Sequence, residues 1–302
     1  MSEPLLLPMP GNERLAKVLA DALGWAAGAV ETRRFPDGES YLRLATDVGR
    51  RHVVIVCTLA DPDAKFLPLI FAAATARELG AARIGLVAPY LAYMRQDRRF
   101  NPGEAVTSRH VAKLISGAFD WLVTVDPHLH RYGALGEIYT IPTRAIHAAP
   151  LMSDWIRRNV PDPLIVGPDS ESEQWVAAVA RDAAAPFSVL EKVRHGDRDV
   201  TITLKDMRTW HDRTPVLVDD IIASGRTMIE AVRLLNHDGW KPPVCLAVHG
   251  LFADRSDQLL AAEGARVVTS NTVPHATNRL DVSKSLTPVL RELAQQAGNP
   301  LK

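Results

Sequence analysis

Short apolar runs alternate with amphipathic stretches along almost the whole chain. Runs at 53–57, 84–88, 121–125, 164–167, 216–221, 244–248 and 266–270 are rich in Val, Ile and Leu. Their length and continuous apolarity predict strands buried on both faces. Between them, apolar positions recur at helical spacing over about 12–23, 65–79, 108–116, 151–159, 174–182, 227–236 and 286–297. Strands alternating with helices of this length imply parallel sheets flanked by helices. The order strand, loop, helix, glycine, strand occurs over 53–88 and again over 216–248, which points to duplication of one α/β unit. Ligands of such sheets sit beyond the carboxyl ends of the strands.

The stretch 216–228 is the most informative of these strand ends. An apolar run, Val216-Leu217-Val218, leads into Asp219 and Asp220. A small polar turn through Ala223, Ser224, Gly225 and Arg226 follows. A helix then begins with apolar residues at Met228, Ile229, Val232 and Leu235. Loop amides and the helix's positive end form an anion cradle. Ser224 and Thr227 add hydroxyls, and the two carboxylates can accept hydrogen bonds from vicinal ribose hydroxyls. A phosphorylated sugar fits this set; an ordinary strand-to-helix turn with a capping acid is the plain alternative.

Four other stretches carry chemistry. Phe35-Pro36-Asp37-Gly38-Glu39 is a turn sequence that also reads as an aromatic and acidic loop able to stack a base. Arg95-Gln96-Asp97-Arg98-Arg99 follows a strand end and offers guanidinium groups to a polyphosphate, or is a solvated charged loop. Asp126, His128 and His130 follow another strand end and share a face if the chain stays extended there. Zinc is one reading of that trio, but no fourth ligand stands at fitting spacing. A magnesium or substrate-phosphate role for His128 and plain packing are the others. Lys192 and Arg194 precede a turn at His195-Gly196-Asp197, as in a surface hairpin or a cationic arm that closes over phosphates.

Composition narrows the picture. A chain of 302 residues suggests two domains. Its net charge of zero gives no electrostatic case for nucleic acid or a membrane surface. No apolar run approaches a membrane span. The start of the chain lacks the basic residues of a signal peptide. Cys57 and Cys245 lie inside apolar runs as buried thiols, and a cytoplasmic location is the default expectation. Walker A and G-x-G-x-x-G loops are absent, so any use of ATP proceeds without them.

Taken together, these motifs resemble the ribose-phosphate pyrophosphokinase (phosphoribosyl-diphosphate, PRPP, synthetase) family over about residues 5–293. The likeness rests on Arg34-Phe35-Pro36-Asp37-Gly38-Glu39, Arg95-Gln96-Asp97-Arg98, Asp126-Pro127-His128, Pro168-Asp169, Lys192-Val193-Arg194 and the stretch 219–228. It implies an α/β fold of two tandem type I phosphoribosyltransferase-like domains, each a mostly parallel sheet flanked by helices. The boundaries expected are 1–146, with the ATP loops, and 147–302, with the sugar site. The last helix is a candidate to pack back on the first domain.

The resemblance also implies transfer of the diphosphoryl group of Mg-ATP to the C1 hydroxyl of ribose 5-phosphate. ATP would meet Phe35, Asp37, Gly38, Glu39, Arg95, Gln96, Asp97 and His128, with the 35–39 loop reaching a neighbouring subunit of a homo-oligomer. His128 and Asp169 would serve Mg²⁺. Lys192 and Arg194 would be catalytic. Ribose 5-phosphate would meet Arg194, Asp219, Asp220, Ala223, Ser224, Gly225, Arg226 and Thr227.

Two stretches depart from the family pattern. Arg226 stands where a second glycine is usual, and Ser170-Glu171-Ser172-Glu173 replaces a small, glycine-bearing loop. These departures motivate a second expectation, a non-catalytic regulatory relative. A phosphoribosyltransferase that consumes PRPP is a third, but it has no evident use for the Phe35 and Arg95 motifs.

Overall fold

The computed structural model describes residues 3–168, 172–194, 200–203 and 207–296. It contains two compact units. One comprises residues up to Ile146 together with the segment from Val282 onward; the other runs from His147 to Asp281.

The first unit begins with β1 (Leu5–Pro8), α1 (Glu13–Leu23) and the two-residue β2 (Ala26–Ala27). A hairpin of β3 (Val30–Arg34) and β4 (Ser40–Leu44) follows. The chain continues through β5 (His52–Val56), α2 (Pro62–Glu78), β6 (Arg83–Ala88), α3 (Thr107–Ala118), β7 (Trp121–Val125) and β8 (Thr143–Ile146). Six strands form one parallel sheet in the order β2-β1-β5-β6-β7-β8. Every residue of β5 and β7 is buried, as runs without polar alternation require. Among the described residues, β3 and β4 pair only with each other, antiparallel, and β3 is largely exposed.

The second unit holds α4 (Ala149–Asn159), β9 (Pro163–Gly167), α5 (Glu173–Ala183) and β10 (Phe187–Val189). A second hairpin, β11 (Glu191–Arg194) with β12 (Val200–Thr203), comes next. Then follow β13 (Thr214–Ile222), α6 (Arg226–His237), β14 (Val244–Gly250), α7 (Ser256–Ala262), β15 (Arg266–Ser270) and β16 (Asn278–Leu280). Its sheet is also six-stranded and parallel, in the order β10-β9-β13-β14-β15-β16. The final helix, α8 (Ser283–Gln296), belongs to the first unit. There the Arg291 guanidinium donates to the Ala22 carbonyl at the end of α1.

The two sheets share one wiring. In each, the second strand lies outside the first, an antiparallel hairpin is inserted, and four further strands extend the other edge. The duplicated pattern therefore extends from one α/β unit to a whole sheet with its hairpin. β5–α2–β6 and β13–α6–β14 occupy equivalent places.

Three differences from the sequence reading have physical causes. No apolar run or periodicity marks the stretch before the expected boundary at 146, yet Thr143–Ile146 is the edge strand β8. Four residues between prolines are too few to show periodicity, and only pairing with β7 makes them a strand. A common face for Asp126, His128 and His130 requires extended chain, and the chain instead turns at Asp126, whose φ is 33°. That turn is held by the Asp126 amide donating to the Ile146 carbonyl at 2.9 Å. The acids of the 216–228 stretch lie inside β13 rather than at its end, since Ile221 and Ile222 continue the ladder opposite His249 and Gly250.

Among the described residues, no helix is long and apolar enough to cross a membrane. Cys57 and Cys245 are both free and fully buried, and burial pushes each thiol up to about 12, so neither is a thiolate at neutral pH.

Candidate active site

In the second unit the site residues cluster where β13 passes into α6. Asp219 and Asp220 are both half-buried, and the Asp220 amide donates to Asp219 Oδ1 at 2.9 Å. Ala223 and Thr227 are half-buried, whereas Ser224 and Arg226 are exposed. Gly225 has φ 66° and directly precedes α6. A side chain there would be strained by that backbone angle and would bring its Cβ to 2.8 Å from the Ser256 Cβ. Glycine is thus required at the turn for two independent reasons. Arg226 is the first residue of α6, where the helix's own positive end disfavours a cation unless an anion is near.

Two carbonyls of this turn are held from behind by the segment 251–256. The amides of Leu251 and Phe252 donate to the Ile222 carbonyl at 2.9 and 3.2 Å, and the Ala253 amide donates to the Ala223 carbonyl at 3.0 Å. The Ser256 hydroxyl donates to the same Ala223 carbonyl at 3.1 Å. Nothing in the sequence marks 251–256 as part of the site, because its contribution is mostly main-chain.

In the first unit, the 35–39 loop caps the β3–β4 hairpin. The Phe35 amide donates to the Glu39 carbonyl at 2.8 Å, and the Gly38 amide to the Phe35 carbonyl at 2.9 Å. Asp37 Oδ1 accepts from the Glu39 amide at 3.1 Å. The Phe35 ring stays 38% exposed although it is a large apolar group. The Arg33 guanidinium lies 4.5 Å from the Phe35 ring centre and 4.2 Å from that of Tyr41, its cross-strand partner. This stacking holds the aromatic loop in shape without enclosing it.

The 95–99 stretch follows β6, and the 126–130 stretch follows its neighbour β7. Arg95 is exposed and Gln96 half-buried, but the Asp97 carboxylate is only 5% exposed. It pairs with Arg131 at 3.5 Å. The Tyr132 hydroxyl donates to the Asp97 carbonyl at 3.2 Å and shares a hydrogen bond with Ser108 Oγ at 3.2 Å. Asp97 thus ties one loop to the other. Neither Arg131 nor Tyr132 forms a motif on its own, and only their contacts with Asp97 mark them as supports of this loop.

Just upstream, Tyr93 adopts φ 62°, and its hydroxyl donates to the Asp63 carboxylate. Burial, with that hydrogen bond and charge, pushes the Tyr93 phenol up to about 12, so it stays a donor. The His128 and His130 rings meet edge to face at 4.2 Å.

Other expected site residues are less completely placed. Lys192 and Arg194 lie on β11, opposite Ile202 and Val200, and their side chains are outside the described structure. Asp169, Ser170 and Glu171 lie outside the described residues, as does the 195–199 turn; Glu173 is the exposed first residue of α5. Among the described residues, no group of three or more His, Cys, Asp or Glu side chains could hold a metal ion. The zinc reading of Asp126, His128 and His130 therefore has no ligand cluster to rest on.

Comparison with known proteins covers both units. Residues 5–118 match the family model described as the N-terminal domain of ribose phosphate pyrophosphokinase, and residues 134–283 match that of the phosphoribosyl transferase domain. The chain is 33% identical over 294 residues to a ribose-phosphate pyrophosphokinase of Methanopyrus kandleri, covering 96% of this chain and 99% of the relative. It is 34% identical over 285 residues to that of Sulfolobus acidocaldarius, covering 91% and 94%. A crystal structure of phosphoribosylpyrophosphate synthetase from Mycobacterium smegmatis superposes with a TM-score of 0.82 at 25% identity, covering 98% of this chain and 99% of that one.

Proposed function

This chain belongs to the ribose-phosphate pyrophosphokinase family, and from that premise we propose that it transfers the diphosphoryl group of Mg-ATP to the C1 hydroxyl of ribose 5-phosphate, giving PRPP and AMP. The observation that carries the reading is the pairing of two features in one chain. One is a strand–loop–helix site for a sugar phosphate at Asp219 to Thr227. The other is a first unit whose loops suit a nucleotide. A phosphoribosyltransferase acting on PRPP needs only the former.

In this reading Asp219 and Asp220 hold the ribose hydroxyls. The amides of 223–227, with the hydroxyls of Ser224 and Thr227 and the Arg226 cation, hold the 5-phosphate. The exposed ring of Phe35 stacks on adenine, with Asp37, Gly38 and Glu39 beside it. Arg95, Gln96 and His128 meet the ATP phosphates, and the buried Asp97 anchors their loop from within. Lys192 and Arg194 stabilise charge that develops as the β-phosphorus is attacked. Positioning and electrostatic stabilisation then carry the rate.

The residues present suit a magnesium ion held chiefly by substrate phosphates. Such an ion takes one or two carboxylates and needs no protein cage. The half-buried Asp219 and Asp220 within β13 are oxygen donors of that kind. Asp169 and His128 are the other candidate ligands. When bound, Mg²⁺ neutralises charge on the transferred group.

Because the 35–39 loop presents its aromatic ring outward, the reading includes a homo-oligomer in which that loop completes a neighbour's ATP site. AMP formation from Mg-ATP with and without ribose 5-phosphate tests the activity. Release of AMP that depends on the sugar is expected. Nucleotide binding without AMP would move the assignment to a regulatory relative, which Arg226 and the 170–173 loop otherwise motivate.

A further inference from the structure

Three side-chain-bearing residues in close succession, Phe252, Asp254 and Arg255, adopt left-handed backbone conformations with φ of 50°, 55° and 57°. Such conformations are sparsely populated outside glycine and persist where surrounding structure imposes them. This corner links β14 to α7 and lies directly behind the 223–225 loop. Its own supports are visible. The Phe252 ring packs on His275 at 4.4 Å, and His275 Nε2 lies 3.6 Å from the Asp257 carboxylate. The second ring nitrogen of His275 hydrogen-bonds Thr277 Oγ1 at 2.9 Å.

We propose that residues 251–256 form a strained backrest that sets the direction of the phosphate-loop amides, with Ser256 as its positioning residue. All peptide bonds here are trans, so the carbonyl of one residue and the amide of the next point in opposite directions. The corner engages the carbonyls of Ile222 and Ala223 through three amides and the Ser256 hydroxyl. The amides of Ala223 and Ser224 must therefore point away from the corner. The Gly225 carbonyl is engaged by the Ile229 amide at 2.8 Å, inside α6, so the Arg226 amide points out of the helix start. Three amides within four residues are thereby aimed away from the protein's own acceptors. That arrangement makes an anion-binding nest. Ser256 is fully buried, and its Cβ also closes the space above Gly225.

The inference rests on the reading of 223–227 as the sugar-phosphate site, and the experiment separates the two. Binding of ribose 5-phosphate and of ATP is measured by calorimetry, which does not depend on turnover. Three variants are compared with the wild type: Thr227→Ala, Ser256→Ala and Arg255→Gly. Thr227→Ala tests the site itself and should weaken ribose 5-phosphate binding.

Ser256→Ala keeps the Cβ and loses one hydrogen bond to the loop. It should weaken ribose 5-phosphate about three- to tenfold and leave ATP within twofold. Arg255→Gly relieves the left-handed backbone without touching the loop. It should raise the melting temperature and still weaken ribose 5-phosphate, because the backrest loosens. A backrest that only stabilised the fold would shift melting temperature and leave the ratio of the two affinities unchanged. That result for both Ser256→Ala and Arg255→Gly overturns the proposal. Unchanged sugar binding in Thr227→Ala would instead remove the site assignment, and the backrest with it.

Discussion

The Asp97–Arg131 pair gives a quantitative test of how the two loops of the first unit are held. Its carboxylate is 5% exposed and its guanidinium 47%, at 3.5 Å. Two charges at that separation interact by about 1 kcal/mol in water and about 5 kcal/mol at an effective dielectric near 20. One open partner places the pair between these limits. Removing Arg131 leaves a buried carboxylate without its ion partner, and that cost exceeds the loss of attraction alone. Arg131→Met should therefore destabilise the first unit by about 2 to 3 kcal/mol. Asp97→Asn, which leaves an exposed arginine in water, should cost about 1 kcal/mol. The double variant should resemble Asp97→Asn, giving a coupling energy of about 2 to 3 kcal/mol. Urea unfolding of the four proteins, read at the first unit's transition, supplies the cycle. ATP affinity should follow the same order, since Arg95 and Gln96 are carried by this loop. A coupling below about 0.3 kcal/mol, within ordinary additivity, would refute the anchoring role of Asp97.

Other expectations concern packing, pH and the phosphate loop. A Cβ built on Gly85 falls inside the fully buried Trp121 indole, so Gly85→Ala should cost about 1 to 3 kcal/mol in urea unfolding, and a neutral result would mean the indole moves freely. His52 accepts from Trp121 Nε1 at 3.1 Å, and burial, with Arg83 nearby, lowers its value to about 4 against an opposing pull from Asp120. The folded state thus favours neutral His52: its contribution is complete above the unfolded value near 6.5 and is lost as pH falls through 4, by up to about 3 kcal/mol. The urea midpoint of the wild type should fall between pH 6.5 and 4 more steeply than that of His52→Gln; equal slopes would remove His52 from the acid sensitivity. Arg226→Gly should weaken ribose 5-phosphate about three- to tenfold at low salt and reduce the salt dependence of binding; an unchanged affinity would leave Arg226 without a phosphate role.

Much of this protein was legible in one dimension. Continuous apolar runs such as 53–57 and 121–125 are too short for helices and alternate with amphipathic stretches, so buried strands in parallel sheets follow from the pattern. The helix after Gly225 was equally plain, because Met228, Ile229, Val232 and Leu235 share a stripe that the structure buries. The 219–227 motif was legible because its acidic pair, glycine turn and helix start stay together in sequence. Tertiary structure decided what depends on partners distant in the chain. β8 and β16 are too short to declare themselves and exist only through pairing with β7 and β15. Asp97 reads as a ligand-facing acid in sequence, yet burial beside Arg131 turns it inward. The corner at 252–255 shows no glycine and no motif, and its strained backbone is visible only where the ends of β13 and β14 meet. Local periodicity and local motifs are written in neighbouring residues; pairing, burial and imposed backbone angles arise only when remote segments share one core.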